Sequence, residues 1–295
     1  MPNGSCLCGA VTYEAAEPLE NFIHCHCSMC RKIHGTPFGS YVRSRQVTFK
    51  TGEDRIARYE SSPGFFRCFC DQCGSILPEN VDTAEYYFVP AGSLDDAITA
   101  RPEKHIFAGS KADWYQITDP LPQMQEYDSI AMEQGLESIE QADRSGTDKN
   151  YVSGSCLCGQ VAFRYKAGSA KLMMLCHCSR CRKVKGAAHA SNVFVKPDDF
   201  EWIKGEEQVV VYDLPEAERF GNSFCKHCGS SAPRQSANSP MVNIPAGALD
   251  DAPGIEPKCH IFVGSKADWF EVTGDTPQHD AVSYTHLTLP TNREV

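Results

Sequence analysis

Positive charge is scarce in this chain of 295 residues: Lys and Arg number 28 against 38 Asp and Glu, for a formal net charge of −10. That balance works against general binding to nucleic acid or to an anionic membrane, both of which call for clustered Lys and Arg. Long apolar runs are missing too. No stretch approaches the roughly 18–20 apolar residues of a membrane-spanning helix. The opening segment, MPNGSCLCGAVTYE, has neither the basic residues nor the apolar run of a secretory leader. The expected compartment is therefore the cytoplasm, where thiols stay reduced. Apolar residues still make up 41% of the chain, enough for a core in each of two ordinary domains.

What the chain has in abundance is cysteine, with sixteen residues. They cluster as C-x-C and C-x-x-C. In a reducing compartment such spacing points to metal ligands and away from a disulfide framework.

The cysteines also recur. GSCLCG at Gly4–Gly9 returns at Gly154–Gly159, and CHCSMCRK at Cys25–Lys32 returns as CHCSRCRK at Cys176–Lys183. C-x-x-C-G at Cys70–Gly74 returns at Cys225–Gly229, PAGSLDD at Pro90–Asp96 as PAGALDD at Pro245–Asp251, and HIFAGSKADW at His105–Trp114 as HIFVGSKADW at His260–Trp269. The offset drifts only from 150 to 155 residues, and the order never changes. A period that long is not a solenoid. It marks a duplicated domain, expected over residues 1–119 and 150–280. The intervening 120–149 reads as an acidic linker with some helical character, since Asp119–Asn150 carries eight acids against two bases and is broken by Pro120, Pro122, Gly135 and Gly146. The tail 281–295 has no counterpart in the first copy.

Within each copy the signal is β. AVTYE, FGSYV, VTFK and YYFVPAG, then VAFRY, SNVFV, QVVVYD and MVNIPAG, are short runs rich in β-branched and aromatic residues, separated by Gly, Pro and Asp. No long 3.6-residue period competes with them. The expectation is two small, mainly β domains held together by metal more than by a large core.

Fourteen of the sixteen cysteines match between copies; Cys68 and Cys259 do not. Seven per copy divide as four plus three. A structural zinc takes four closed ligands, and a zinc that does chemistry keeps one position open. The four combine an early and a late pair: Cys6, Cys8, Cys70 and Cys73, and Cys156, Cys158, Cys225 and Cys228. Gly74 and Gly229 would relieve crowding at the knuckle. The three form one tight group: Cys25, Cys27 and Cys30, and Cys176, Cys178 and Cys181. This gives two zinc ions per domain, about four per chain. His26 and His177 lie between ligands on an extended segment and should point away from the metal.

Three thiolates leave a zinc centre near −1, a poor Lewis acid for water. A vacancy in so soft a site suits a fourth sulfur, arriving as a small thiol that the metal would hold ionised. Arg31 and Lys32, with Arg182 and Lys183, are placed to offset the charge and to receive that thiol's carboxylates.

The ordered set GSCLCG, CHCSxCRKxxG, CxxCG, PAGxLDD and HIFxGSKADW resembles the glutathione-dependent formaldehyde-activating enzyme family, which includes centromere protein V. The resemblance covers nearly all of both copies. It implies a β-tent fold of the Mss4-like type, a four-cysteine structural zinc and a three-cysteine zinc at a glutathione site. The implied reaction is reversible condensation of formaldehyde with glutathione to S-hydroxymethylglutathione, a carbon–sulfur lyase in the reverse sense. The expected partners are a small thiol and an aldehyde, with no nucleic acid and no membrane; the oligomeric state is left open. Two alternatives stand beside this: a zinc-stabilised binding module without catalysis, and an enzyme acting on a different thiol conjugate.

Overall fold

The computed structural model describes residues 1–80, 85–127, 146, 148–217, 220–236 and 239–281. The chain is mainly β, with two α-helices among the described residues, Ser28–His34 (α1) and Ser179–Lys185 (α2). The runs expected to be strands are strands. In the first repeat Asn3–Ser5, Thr12–Ala15 and Val47–Thr51 form a small antiparallel sheet; in the second Tyr151–Ser155, Ala162–Lys166 and Phe200–Lys204 do the same. Alternation sets their faces. Tyr13 and Ala15 point inward, as do Phe163 and Tyr165, while their neighbours face outward. Gly4 lies flat against the Tyr13 ring, where a Cβ would come within 2.2 Å of it.

The second sheet of each repeat carries the motifs. In the first repeat its order is Lys104–Ile106, Glu20–Cys25, Gly39–Ser44, Tyr87–Pro90 and Glu79–Asn80. Lys104–Ile106 runs parallel to Glu20–Cys25, setting His105 opposite His24 and Ile106 opposite Cys25. Cys259–Ile261 pairs with Leu172–Cys176 in the same way. A separate hairpin, Ile56–Ser62 with Phe65–Cys70, delivers the late cysteines; Val209–Asp213 with Gly221–Cys225 is its counterpart.

Each helix has seven residues, too short to persist alone in water. The sulfur of Cys27 accepts the Cys30 amide at 3.4 Å, and Cys178 accepts that of Cys181 at the same distance. Gly35 and Gly186 close the helices in the left-handed conformation, at φ 68° and 59°. Tertiary packing supplies the remaining support, and it comes from the opposite repeat. Gly247 of the second PAG turn sits so close to α1 that a Cβ would meet Arg31 O at 2.3 Å; one on Gly92 would meet Ala187 N, just past α2, at 2.5 Å.

The two cores are likewise shared. That of the first repeat, around Val11, Tyr13, Phe22 and Phe38, includes Ala267, Trp269 and Phe270 from the second; Phe22 and Trp269 have ring centroids 5.0 Å apart. Ala112 and Trp114 join Phe163, Tyr165 and Met173 in the core of the second. The two ADW segments thus exchange across an approximate two-fold relation.

The segment expected to open the linker stays with the first repeat. Met124 N donates to His105 O at 2.8 Å and His105 N to Pro122 O at 2.8 Å. The expected helical part of the linker and the tail from 282 onward lie outside the described residues.

One contrast between the repeats yields a pH prediction. At the position of Phe38 the second repeat has His189, 1% exposed, packed against Phe38, His177 and Phe270, with Nε2 unpartnered. Burial, then the nearby His177 and His260, hold its imidazole well below the usual value of 6.5. The native state therefore keeps His189 neutral where the unfolded chain binds a proton. Its contribution is complete above about pH 6.5 and is lost as pH falls toward the folded value, at about 1.4 kcal/mol per pH unit. His189→Phe should leave the urea midpoint near pH 8 unchanged or higher, and should flatten its decline between pH 6.5 and 5. An unaltered slope would show that His189 protonates without unfolding.

Candidate functional site

The fold gathers the cysteines into four groups, and in each the sulfurs lie within 4.8 Å of one another: Cys6, Cys8, Cys70 and Cys73; Cys156, Cys158, Cys225 and Cys228; Cys25, Cys27 and Cys30; Cys176, Cys178 and Cys181. Cys68 and Cys259 stand outside these groups.

The four-sulfur groups join the C-x-C turn after the first strand to the C-x-x-C-G knuckle after the hairpin. Sulfurs of Cys6 and Cys8 are 3.4 Å apart and those of Cys8 and Cys70 3.8 Å; in the second repeat the matching distances are 3.4 and 3.8 Å. Four sulfurs at about 2.3 Å from a tetrahedral zinc would sit about 3.8 Å apart, so the donor set fits the ion. Val11 N donates to Cys6 Sγ at 3.2 Å, and Cys73 Sγ lies 3.3 Å from Ser75 Oγ. Hydrogen bonds from Cys6 and Cys70 draw the Cys73 thiol down to about 2, while burial pushes Cys8 up to about 12. Such a cluster ionises Cys73 readily and resists ionising Cys8 and Cys70, a conflict that a bound cation removes.

In each three-sulfur group the first cysteine ends a strand, the second caps a helix and the third lies in its first turn. The turn from strand to helix wraps the donors around one side. Sulfur hydrogen bonds from Cys25 and Cys30, with Arg67 adding to them, hold Cys27 well below the usual thiol range; Cys178 is drawn down to about 3 by Cys176 and Cys181. Three soft donors fit a zinc with a remaining position. The histidine between the ligands turns away. His26 Nε2 meets His105 Nδ1 at 2.8 Å, and His105 Nε2 lies 3.0 Å from the Asp119 carboxylate. His177 meets His260 at 2.8 Å, but glycine, Gly274, stands where the first repeat has Asp119.

The cations after the third cysteine divide in two. Arg31 and Arg182 stay with the thiolates: Arg31 interacts with Cys27, Asp113 and Asp250, and Arg182 with Cys178, Asp268 and Cys181. The lysines cross to the opposite repeat. Lys32 Nζ donates to Asp250 Oδ1 at 2.6 Å and Ser155 O at 2.8 Å, and Lys183 Nζ to Ser5 Oγ at 2.7 Å and to Asp95. They tie the CRK helix of one copy to the LDD turn of the other.

A model of the glutathione-dependent formaldehyde-activating enzymes matches residues 1–110 and again 151–265. The chain belongs to that family. It carries the family's domain twice. A Halomonas elongata protein provisionally named a glutathione-dependent formaldehyde-activating enzyme is 31% identical over 130 residues, 41% of this chain and 80% of that protein. An uncharacterised lyase of Schizosaccharomyces pombe is 31% identical over 74 residues, 25% of this chain and 53% of its own length. A solved Rhodobacter sphaeroides protein shows 23% identity over 33% of this chain and 91% of its own, with a TM-score of 0.28. No helix among the described residues of this family member is long and apolar enough to cross a membrane.

Residues that sequence spacing passed over also surround the first three-cysteine group. Tyr41 and Phe88 pack against Cys25, Cys27 and Cys30. Beside Tyr41 lies a buried ion pair, Arg67 with Glu79, at 2.8 Å. Burial pushes the Glu79 carboxyl up to about 7 against the pull of Arg67. No metal-ligand spacing marks these residues; only their disagreement with the second copy does.

Proposed function

We propose that this chain catalyses the reversible addition of glutathione to formaldehyde. A bond forms between the glutathione sulfur and the carbonyl carbon, and the thiol proton ends on the oxygen. Nothing is oxidised or reduced. The reverse reaction breaks the carbon–sulfur bond, the lyase sense. In a β-tent reading of the fold, Cys6, Cys8, Cys70 and Cys73, with Cys156, Cys158, Cys225 and Cys228, would hold structural zinc. Cys25, Cys27 and Cys30, with Cys176, Cys178 and Cys181, would hold the reactive ion. A zinc on three thiolates is weak toward water and takes a fourth sulfur in ionised form.

The observation that carries this reading is a three-sulfur set, distinct from the four-sulfur set, in each copy of a formaldehyde-activating domain. The chain's own part is to present three sulfurs on a braced helix and to offset their charge. Arg31 and Arg182 suit the charge, and would also receive a glutathione carboxylate. Lys32 and Lys183 are engaged across the repeats, so their contribution to that binding would be indirect.

Two measurements test the proposal. Zinc content should be about four per chain, falling by one with Cys25→Ser. A content of two, unchanged by that substitution, would remove the reactive sites. Adduct formation, followed by proton resonance of the hydroxymethyl group, should rise above the uncatalysed rate and fall at least tenfold when Cys27 and Cys178 are both serine. An unchanged rate would end the enzyme reading.

A further inference from the structure

The two three-cysteine sites are built alike in their sulfurs and unlike in what surrounds them. Next to Cys25, Cys27 and Cys30 runs a buried chain of polar side chains whose direction is forced. His34 Nδ1 faces the carbonyl of Lys185, which can only accept, so Nδ1 carries the proton. His34 Nε2 therefore accepts from Tyr41 O–H at 2.7 Å. Tyr41 in turn accepts from Arg67 Nη1 at 3.4 Å, and Arg67 also donates to Glu79 Oε1 at 2.8 Å and Ser61 Oγ at 3.2 Å. Its guanidinium lies 4.5 Å over the Phe65 ring. Arg67 is 4% exposed and Glu79 1% exposed. Nη2 of Arg67 makes no hydrogen bond among the described residues. Its charge acts on Cys27 and Cys30.

Every member of this chain is replaced in the second repeat. Lys185 stands for His34, Asn192 for Tyr41, Asn222 for Arg67 and Arg234 for Glu79. Asn222 is turned to other work, donating to Cys73 O at 3.0 Å and accepting from Lys185 Nζ at 3.0 Å. Arg234 pairs with Asp213 in a partly exposed bridge. In this place, among the described residues, the second site has no guanidinium hydrogen-bonded to a buried carboxylate; its cations there are the buried Lys185, which acts on Cys181, and Arg180, which acts on Cys178.

Glu79 meets this buried guanidinium through one oxygen, its Oε2 being unpartnered among the described residues, and a buried charge is favoured by further charged or hydrogen-bonding neighbours. The three sulfurs are the neighbouring source of negative charge, and a fourth thiolate would add to it. We propose that Arg67 is a positioning residue of the first three-cysteine site, holding a fourth, substrate thiolate beside Cys27 and Cys30, and that turnover belongs mainly to the first repeat. This rests on the proposed thiol chemistry and narrows it to one of two sites.

The test uses the full chain loaded with cobalt(II), whose thiolate charge-transfer band reports each sulfur that joins the metal. Titration with glutathione should show two unequal phases in the wild type. Arg67→Met should weaken the tighter phase at least tenfold and leave the other in place, and Arg67→Lys should restore part of it. On the zinc form, Arg67→Met should raise KM for glutathione and lower kcat/KM about 100-fold. If Arg67→Met does not fold, the charge-free pair Arg67→Met with Glu79→Gln replaces it, with the same loss expected. A single glutathione phase, or less than a twofold change in kcat/KM, overturns the assignment of Arg67. Absence of any adduct formation by the wild-type zinc form would instead sink the proposed reaction, while the cobalt titration would still decide whether Arg67 holds a thiolate.

Discussion

Replacing Cys73 with serine is expected to unfold both repeats in one transition. In small metallodomains a four-sulfur zinc contributes about 10–16 kcal/mol of folding free energy, as large as the whole net stability of about 5–15 kcal/mol that holds most domains together. Loss of one ligand should therefore unfold the first repeat outright. The second cannot stay behind. Its core contains Ala112 and Trp114 of the first, and Asn222 of its hairpin bonds Cys73 O at the knuckle itself. Phe69 and Phe224, one from each hairpin, meet edge to face with centroids 6.1 Å apart. Circular dichroism should show a single early loss of the whole β signal in Cys73→Ser, and the same in Cys228→Ser. A biphasic melt in which half the signal survives at the wild-type temperature would mean the repeats are independent.

The crossed lysines should differ sharply from each other. Lys32 and Asp250 are paired at 2.6 Å with side chains 8% and 6% exposed, whereas Lys183 and Asp95 are 21% and 36% exposed. Lys32→Met leaves a buried carboxylate without its partner, which costs about 3–5 kcal/mol. Lys183→Met removes a wetter pair and should cost about 1 kcal/mol or less. Adding Asp250→Leu to Lys32→Met should recover most of the loss, because both charges are then gone. Urea midpoints on the zinc-loaded chain measure all three. Equal costs for the two lysines would show that exposure does not decide their strength.

The strand runs were legible because a pleated strand alternates its faces, and residues such as Tyr13, Ala15, Phe163 and Tyr165 record that alternation in the order of the chain. The cysteine groups were legible for a related reason. C-x-C and C-x-x-C place two donors on one turn, matching the copies isolates seven shared sulfurs in each, and ligand number with pair spacing divides them into four and three without coordinates. Lys32 shows where such reading stops. A duplicated sequence gives every contact two addresses: the lysine of one copy can reach the LDD turn of its own copy or that of the other, and both have the same local sequence. Chain order cannot tell them apart. The approximate two-fold packing does, by bringing Asp250 and not Asp95 to Lys32 and by setting Trp269 in the core of the first repeat. Arg67 and Glu79 were hidden for another reason. They are twelve residues apart on either side of the C-x-x-C-G knuckle and belong to no motif themselves, and only the pairing of strand and hairpin buries them together beside the sulfurs. The sequence by itself determined which cysteines could hold metal and that the arrangement is written twice over. The tertiary structure decided which copy braces which helix, and that the two three-sulfur sites carry different charges, because burial and proximity across the repeat boundary exist only once both copies are packed.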